Sequence, residues 1–224
     1  MKTNCKNCGL AFEIQDPPAG FEKLLSGLAQ NLVCDKCEAR HQDENEKKAN
    51  EENRKIIIRR SKLAEEFLTW NPEKGNNKLL AWINANAGES LYIPGLYGTC
   101  KTRAVTLAAY QNRVIHPFMR FYRTSELIAE IMGFYSEGVR EVNEFKEFVC
   151  SLDLLIMDDF GKEKVTDRAG EHLYDILDTF YGSRRKIWIT TNIMQTERII
   201  ENLGADRGFA IVRRIKEKCK QWEG

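Results

Sequence analysis

Ser90-Leu91-Tyr92-Ile93-Pro94-Gly95-Leu96-Tyr97-Gly98-Thr99-Cys100-Lys101-Thr102 is the stretch on which the fold turns. A short apolar run enters a glycine-rich turn, and Lys101-Thr102 then opens a helix. Gly95-x-x-x-x-Cys100-Lys101-Thr102 fits the phosphate-loop pattern G-x-x-x-x-G-K-[ST] at every defined position but one. Glycine lets such a loop curl until successive N–H groups, here those of Gly95, Gly98, Thr99 and Cys100, face the phosphates of a nucleotide. Lys101 would bridge the β- and γ-phosphate oxygens, and the Thr102 hydroxyl would ligate Mg²⁺. The exception is Cys100, where the pattern asks for glycine. Either its side chain crowds the phosphates and the site is degenerate, or the backbone tolerates a small residue and only the N–H is needed.

Outward from that loop, short apolar runs alternate with helical stretches from residue 61 onward, the pattern of a parallel α/β sheet. Helices are expected over Lys62–Trp70 and Lys78–Ala87, then the strand Ser90–Pro94. A second strand is expected near Phe118–Tyr122, a helix from Ser125, and a buried central strand over Leu152–Met157. A helix over Asp167–Tyr181 and the strand Ile187–Thr190 follow. The central strand ends in Asp158-Asp159, and paired carboxylates beside a phosphate loop suit Mg²⁺ and water activation. Asp158 would hold the Mg²⁺ shell and Asp159 would polarise the attacking water. The last strand ends Ile189-Thr190-Thr191-Asn192, so that Asn192 could orient the same water.

Together these residues resemble the AAA+ ATPases, more narrowly the helicase-loader and transposition-helper branch typified by DnaC, DnaI and IstB. The resemblance covers about residues 61–216. It rests on Gly-Leu-Tyr-Gly-Thr-Cys-Lys-Thr, on Leu-Leu-Ile-Met-Asp-Asp-Phe-Gly and on Ile-Trp-Ile-Thr-Thr-Asn. The segment Ala210-Ile211-Val212-Arg213-Arg214-Ile215 looks like the branch's Ala-Ile-x-Asp-Arg-Leu box. That match implies that Arg214 is an arginine finger delivered to a neighbouring subunit's γ-phosphate, although Arg213 stands where the family often has Asp. The resemblance further implies an α/β P-loop core, a three-layer parallel-sheet AAA+ domain without a C-terminal helical lid. It implies ATP hydrolysis, head-to-tail self-association with ATP, and a replicative helicase loaded on single-stranded DNA as partner. Arg120, Tyr122 and Arg123 offer a cation–aromatic cluster for such a strand.

The first forty residues read differently. Cys5/Cys8 and Cys34/Cys37 form two Cys-x-x-Cys pairs, the way a tetrahedral Zn²⁺ receives four thiolates. The 25 residues between the pairs exceed the usual spacing, with a turn at Asp16–Gly20 and with Phe12, Phe21 and Leu24 available to cover the metal. His41 is a further candidate ligand. Four thiolates leave no open position, so the metal is structural, and so small a segment would need it to fold. Residues 41–60 hold six basic and five acidic residues and no Pro or Gly, a solvated, mostly helical connector. The chain is therefore divided into a zinc module over 1–40, a linker over 41–60 and an ATPase domain over 61–224.

Composition bounds the rest. Of 224 residues, 42% are hydrophobic, enough for a core, and the net charge of +1 excludes a broadly basic nucleic-acid binder. There is no apolar run of the ~18 residues that a membrane span needs, nor a signal-peptide pattern at the N-terminus, so the expectation is a cytoplasmic protein. The near-neutral total conceals polarity: residues 141–183 carry eleven acids and four bases, residues 184–224 ten bases and five acids. Opposite signs suit a head-to-tail assembly. The rivals are an IstB-like transposition helper that pairs with a transposase, a P-loop nucleoside kinase, and a non-hydrolysing zinc and P-loop scaffold.

Overall fold

The computed structural model describes residues 2–13, 32–71, 73 and 75–224. The chain divides into two compact units, Met1–Ile57 and Ile58–Gly224. In the first, β1 (Lys2–Asn4) and β2 (Ala11–Glu13) form an antiparallel pair. Helix α1 runs unbroken over Asp35–Ser61, so Cys37 sits in its first turn and the expected connector is helical without interruption. Asp35 and Glu38 at its start and Arg59 and Arg60 at its end complement the helix dipole. Phe21, Leu24 and the turn at Asp16–Gly20 lie outside the described residues.

Lys62, at φ +54°, ends α1 in the left-handed region. The helix expected over Lys62–Trp70 is absent; that stretch holds only a 3-10 turn over Glu65–Phe67. In the second unit α2 (Asn77–Ala85) starts where the Asn76 side chain accepts the Leu79 N–H at 3.0 Å. Then follow β3 (Leu91–Pro94), α3 (Lys101–Gln111), β4 (Met119–Arg123), α4 (Thr124–Phe134), α5 (Val139–Ser151), β5 (Leu154–Asp158) and α6 (Asp167–Tyr181). Strand β6 (Lys186–Thr191), α7 (Thr196–Leu203), α8 (Ala205–Lys218) and β7 (Lys220–Gln221) complete the order.

Five strands pair in the order β4-β5-β6-β3-β7, all parallel. Each residue of β5 is buried because strands flank it and helices cover the sheet. Alternation along the strand serves two cores. Leu155, Met157, Ile187 and Ile189 join the cluster built by α4 to α8. Leu154, Ile156 and Trp188 are equally buried but do not belong to that cluster. The Trp188 indole N–H donates to the Glu89 carbonyl at 3.0 Å. On α6 the stripe Ala169, Leu173, Ile176, Leu177 and Phe180 is buried at helical spacing. The result is the expected α/β fold, a parallel sheet flanked by helices. No helix among the described residues is long and apolar enough to cross a membrane.

Candidate active site

Strand order reverses between β3 and its neighbour β6, the place where open α/β sheets hold ligands beyond their strand ends. The loop after β3, the Asp158-Asp159 end of β5 and the Thr191-Asn192 end of β6 all open there. Gly98 at φ +78° supplies the left-handed step of the loop. Cys100 also lies in the left-handed region, at φ +59° and ψ 24°, as the residue before α3. Glycine is preferred in the motif because a Cβ costs roughly 1–2 kcal/mol in that conformation. Cys100 adopts the shape the loop needs, with a strained backbone.

The Lys101 side chain is 6% exposed. Its Nζ donates to the carbonyls of Gly95 and Leu96 and to Asn192 Oδ1, each at 2.8 Å, and approaches Thr99 Oγ1 at 3.2 Å. Burial lowers its pKa, opposed by the charges of Asp158 and Asp159. The Thr102 hydroxyl donates to both Asp158 oxygens at 3.0 and 3.1 Å. Burial raises the pKa of Asp158, and the Thr190 hydroxyl, donating at 2.5 Å, opposes that rise. Asn192 closes the set: its Oδ1 accepts from Lys101 and its Nδ2 donates to Asp159. Lys101–Asn192–Asp159 and Thr102–Asp158 thus form two hydrogen-bonded sets that Thr190 joins into one network, although 91 residues separate Lys101 from Asn192.

Two threonines not singled out from the sequence support this network. Thr190 donates to Asp158 and accepts the Asp159 N–H at 3.2 Å. Thr124, first residue of α4, donates to the Asp158 carbonyl at 3.0 Å. Glu163 has a buried Oε2 without a partner among the described residues, and burial raises its pKa. Thr190 was within a quoted motif; Glu163 carried no signal of its own. Gly161 is required by φ +79° and by Ile199, whose Cγ2 would lie 2.8 Å from a Cβ there.

The arginines stand apart from the loop. Arg214 on α8 donates from Nε to Asp178 at 2.6 Å and from a terminal nitrogen to the Tyr174 hydroxyl at 2.7 Å. Its side chain is 15% exposed. Arg213 is 59% exposed, with one long ion pair to Glu217 at 3.6 Å. Asp178 belongs to the acidic stretch and Arg214 to the basic one, so part of the charge polarity is satisfied within a single chain. Tyr122 is buried and Arg120 lies 5.0 Å over the Phe148 ring, which leaves Arg123 as the exposed member of that cluster. A stacking role for Tyr122 is therefore corrected: β4 is covered on both faces at that residue.

In the first unit the sulfur atoms of Cys5, Cys8, Cys34 and Cys37 lie within 4.8 Å of one another. Cys8 and Cys34 are 3.7 Å apart, matching the ~3.8 Å edge of a tetrahedron with Zn–S bonds of about 2.3 Å. The Cys34 N–H, the largest influence, holds Cys5 down at about 6, while donation of the Cys37 thiol to Cys8, with burial, pushes Cys37 up to about 12. Four thiols this close cannot all ionise without a cation, and a divalent metal is a group that could supply it. Phe12 and Val33 pack against the cysteines. His41 is exposed, with Nε2 2.6 Å from the Asn7 amide and outside the four-sulfur group.

A family model described as the bacterial DnaA ATPase domain matches residues 75–204. No curated protein matches the sequence. Among solved structures, AMPPCP-bound DnaA from Aquifex aeolicus is 18% identical with a TM-score of 0.56, over 72% of this chain and 51% of that one. The chain thus spans about half the length of that protein. The DnaC helicase loader is 20% identical with a TM-score of 0.55, over 70% of this chain and 98% of its own. DnaI is 16% identical with a TM-score of 0.55, over 70% and 92% respectively. At these identities the likeness establishes the fold.

Proposed function

The chain belongs to the bacterial DnaA ATPase-domain family, and from that premise we propose that it is an ATP-hydrolysing switch that loads or remodels a replicative helicase on single-stranded DNA. The observation that carries this reading is the Lys101–Asn192–Asp159 connection next to Thr102 and Asp158. In the free protein Lys101 rests on neutral carbonyls of its own loop; the β- and γ-phosphates of ATP offer anionic acceptors instead. Thr102 and Asp158 present adjacent hard oxygen ligands, which fit Mg²⁺. When bound, Mg²⁺ neutralises charge on the phosphates. Asp159 accepts the proton of the attacking water and Asn192 orients that water. Since Asn192 also touches Lys101, the arrival of the γ-phosphate is communicated to Asp159 through one side chain.

The trans cation comes from the Arg213–Arg214 pair on α8. Arg214 would have to leave Asp178 and Tyr174, whereas Arg213 already projects outward. In the first unit Cys5, Cys8, Cys34 and Cys37 hold a structural zinc. The DnaC and DnaI folds support the helicase as partner, and within the 1–40, 41–60 and 61–224 division the N-terminal part is the proposed contact, as the resemblance to the helicase loaders implies. ATP turnover beside Lys101→Ala tests the enzyme: the variant should lose activity at least about 100-fold. Equal turnover in the two proteins would defeat the reading. Pull-down with and without ATP should recover the replicative helicase; a transposase instead would favour the transposition helper.

A further inference from the structure

Strand β7 carries residues that none of the motifs explains. It extends the sheet beside β3, in register Leu91↔Lys220 and Tyr92↔Gln221. The Lys220 N–H donates to the Ser90 carbonyl at 2.8 Å and the Trp222 N–H to the Tyr92 carbonyl at 2.9 Å. Because the pairing is parallel, the segment from Trp222 onward runs in the direction of Gly95, toward the phosphate loop. The Trp222 ring is held by Trp82 of α2, with centroids 5.4 Å apart and planes tilted by 59°.

A cavity of about 420 Å³ opens at that place, lined among others by Leu79, Gly95, Lys101, Met194 and Trp222. Its volume falls in the range of small-molecule sites. The lining has two chemistries. Gly95, Thr99 and Lys101 provide the anion-binding side, whereas Leu79, Met194 and Trp222 provide an apolar side with an aromatic ring. A nucleotide has the same two characters, an anionic phosphate chain and a flat π-surface.

Resting on the reading of the loop as a nucleotide site, we propose that Trp222 forms the wall that receives the base of a purine nucleoside triphosphate, and so sets base preference. The strand pairing places the ring, Trp82 supports it, and the base packs between it and the exposed Met194. A two-ring base covers more of an indole than a one-ring base, so a purine is favoured over a pyrimidine. Trp222 touches the base and takes no part in hydrolysis; it is a specificity-determining residue.

The test compares equilibrium binding of ATP, CTP and inorganic tripolyphosphate, each with Mg²⁺, to the full chain, Trp222→Ala and Trp222→Phe. Loss of a stacked ring is expected to weaken ATP about tenfold. The preference for ATP over CTP should shrink, tripolyphosphate affinity should stay unchanged, and Trp222→Phe should keep most of the ATP affinity. ATP affinity in Trp222→Ala equal to that of the parent overturns the inference. Equal weakening of ATP and tripolyphosphate also overturns it, because the strand would then be acting on the loop and not on the base. If the parent chain binds none of the three, the nucleotide reading itself fails.

Discussion

Between Met1 and Ile57 the described residues bury three cysteines, with Phe12 and Val33 packed against them. Between Ile58 and Gly224 a five-stranded parallel sheet buries its strands under helices. Among the described residues the first unit buries little apolar area beyond this cluster, and its long helix is exposed along nearly its whole length before Ile57. On the proposed zinc reading its described part is ordered by cross-linking four sulfurs, whereas the second unit is ordered by burial. The contrast teaches that motif density and core density are separate properties.

The largest way to break the comparison is metal removal. A chelator strong enough to strip the thiolates should unfold the cysteine unit outright, since structural zinc contributes on the order of 10 kcal/mol to folding. Limited proteolysis should then cut within the first unit while the second keeps its thermal transition within a few degrees. Loss of both transitions together would show that the units are not independently stabilised. The converse cut is Leu155→Ala in the fully buried β5. It should cost about 3 kcal/mol in the second unit, read by denaturant unfolding, with zinc content unchanged.

Smaller effects sharpen the comparison inside the second unit, where some stability is given up at the site. Cys100→Gly removes the left-handed strain, offset in part by the greater freedom of glycine in the unfolded chain. The net gain should be about 0.5–1 kcal/mol, and a loss would show that the thiol contributes more than its backbone costs. The smallest effect concerns Asp158. Burial raises its pKa, so its contribution to stability is present below the unfolded carboxylate pKa and lost as pH rises through the folded value. Asp158→Asn should therefore make the nucleotide-free protein slightly more stable near neutral pH, by a fraction of a kcal/mol. That gain should vanish on acidification below the ordinary carboxylate range, and a thermal-melt pH series checks it.

Much of the site was legible in the sequence because each part lies at the end of a short apolar run. Gly95–Thr102, Asp158-Asp159 and Asn192 are local patterns, and the sheet brings them together in the order expected of the fold. The four cysteines were legible for the same reason. Helix α5 was not singled out, although Val142, Phe145 and Val149 mark its buried face at helical spacing; three charged residues among them obscured the stripe. The Lys62–Trp70 helix failed because positive φ at Lys62 stops α1, and extended backbone at Ala64 then leaves room only for the 3-10 turn over Glu65–Phe67. Tyr122 looked available for stacking, yet its strand is covered on both faces. Trp222 was illegible for a different reason: its position depends on pairing with Tyr92, 130 residues away along the chain.

The central claim is that Lys101, Asn192 and Asp159 work as one hydrolytic unit. Measuring ATP affinity and ATP turnover side by side in Asp159→Asn tests it most directly, over a range of protein concentrations. The prediction is affinity within about threefold of the parent and turnover reduced at least about 100-fold, as for loss of a general base. Parent-like turnover in the variant would contradict it.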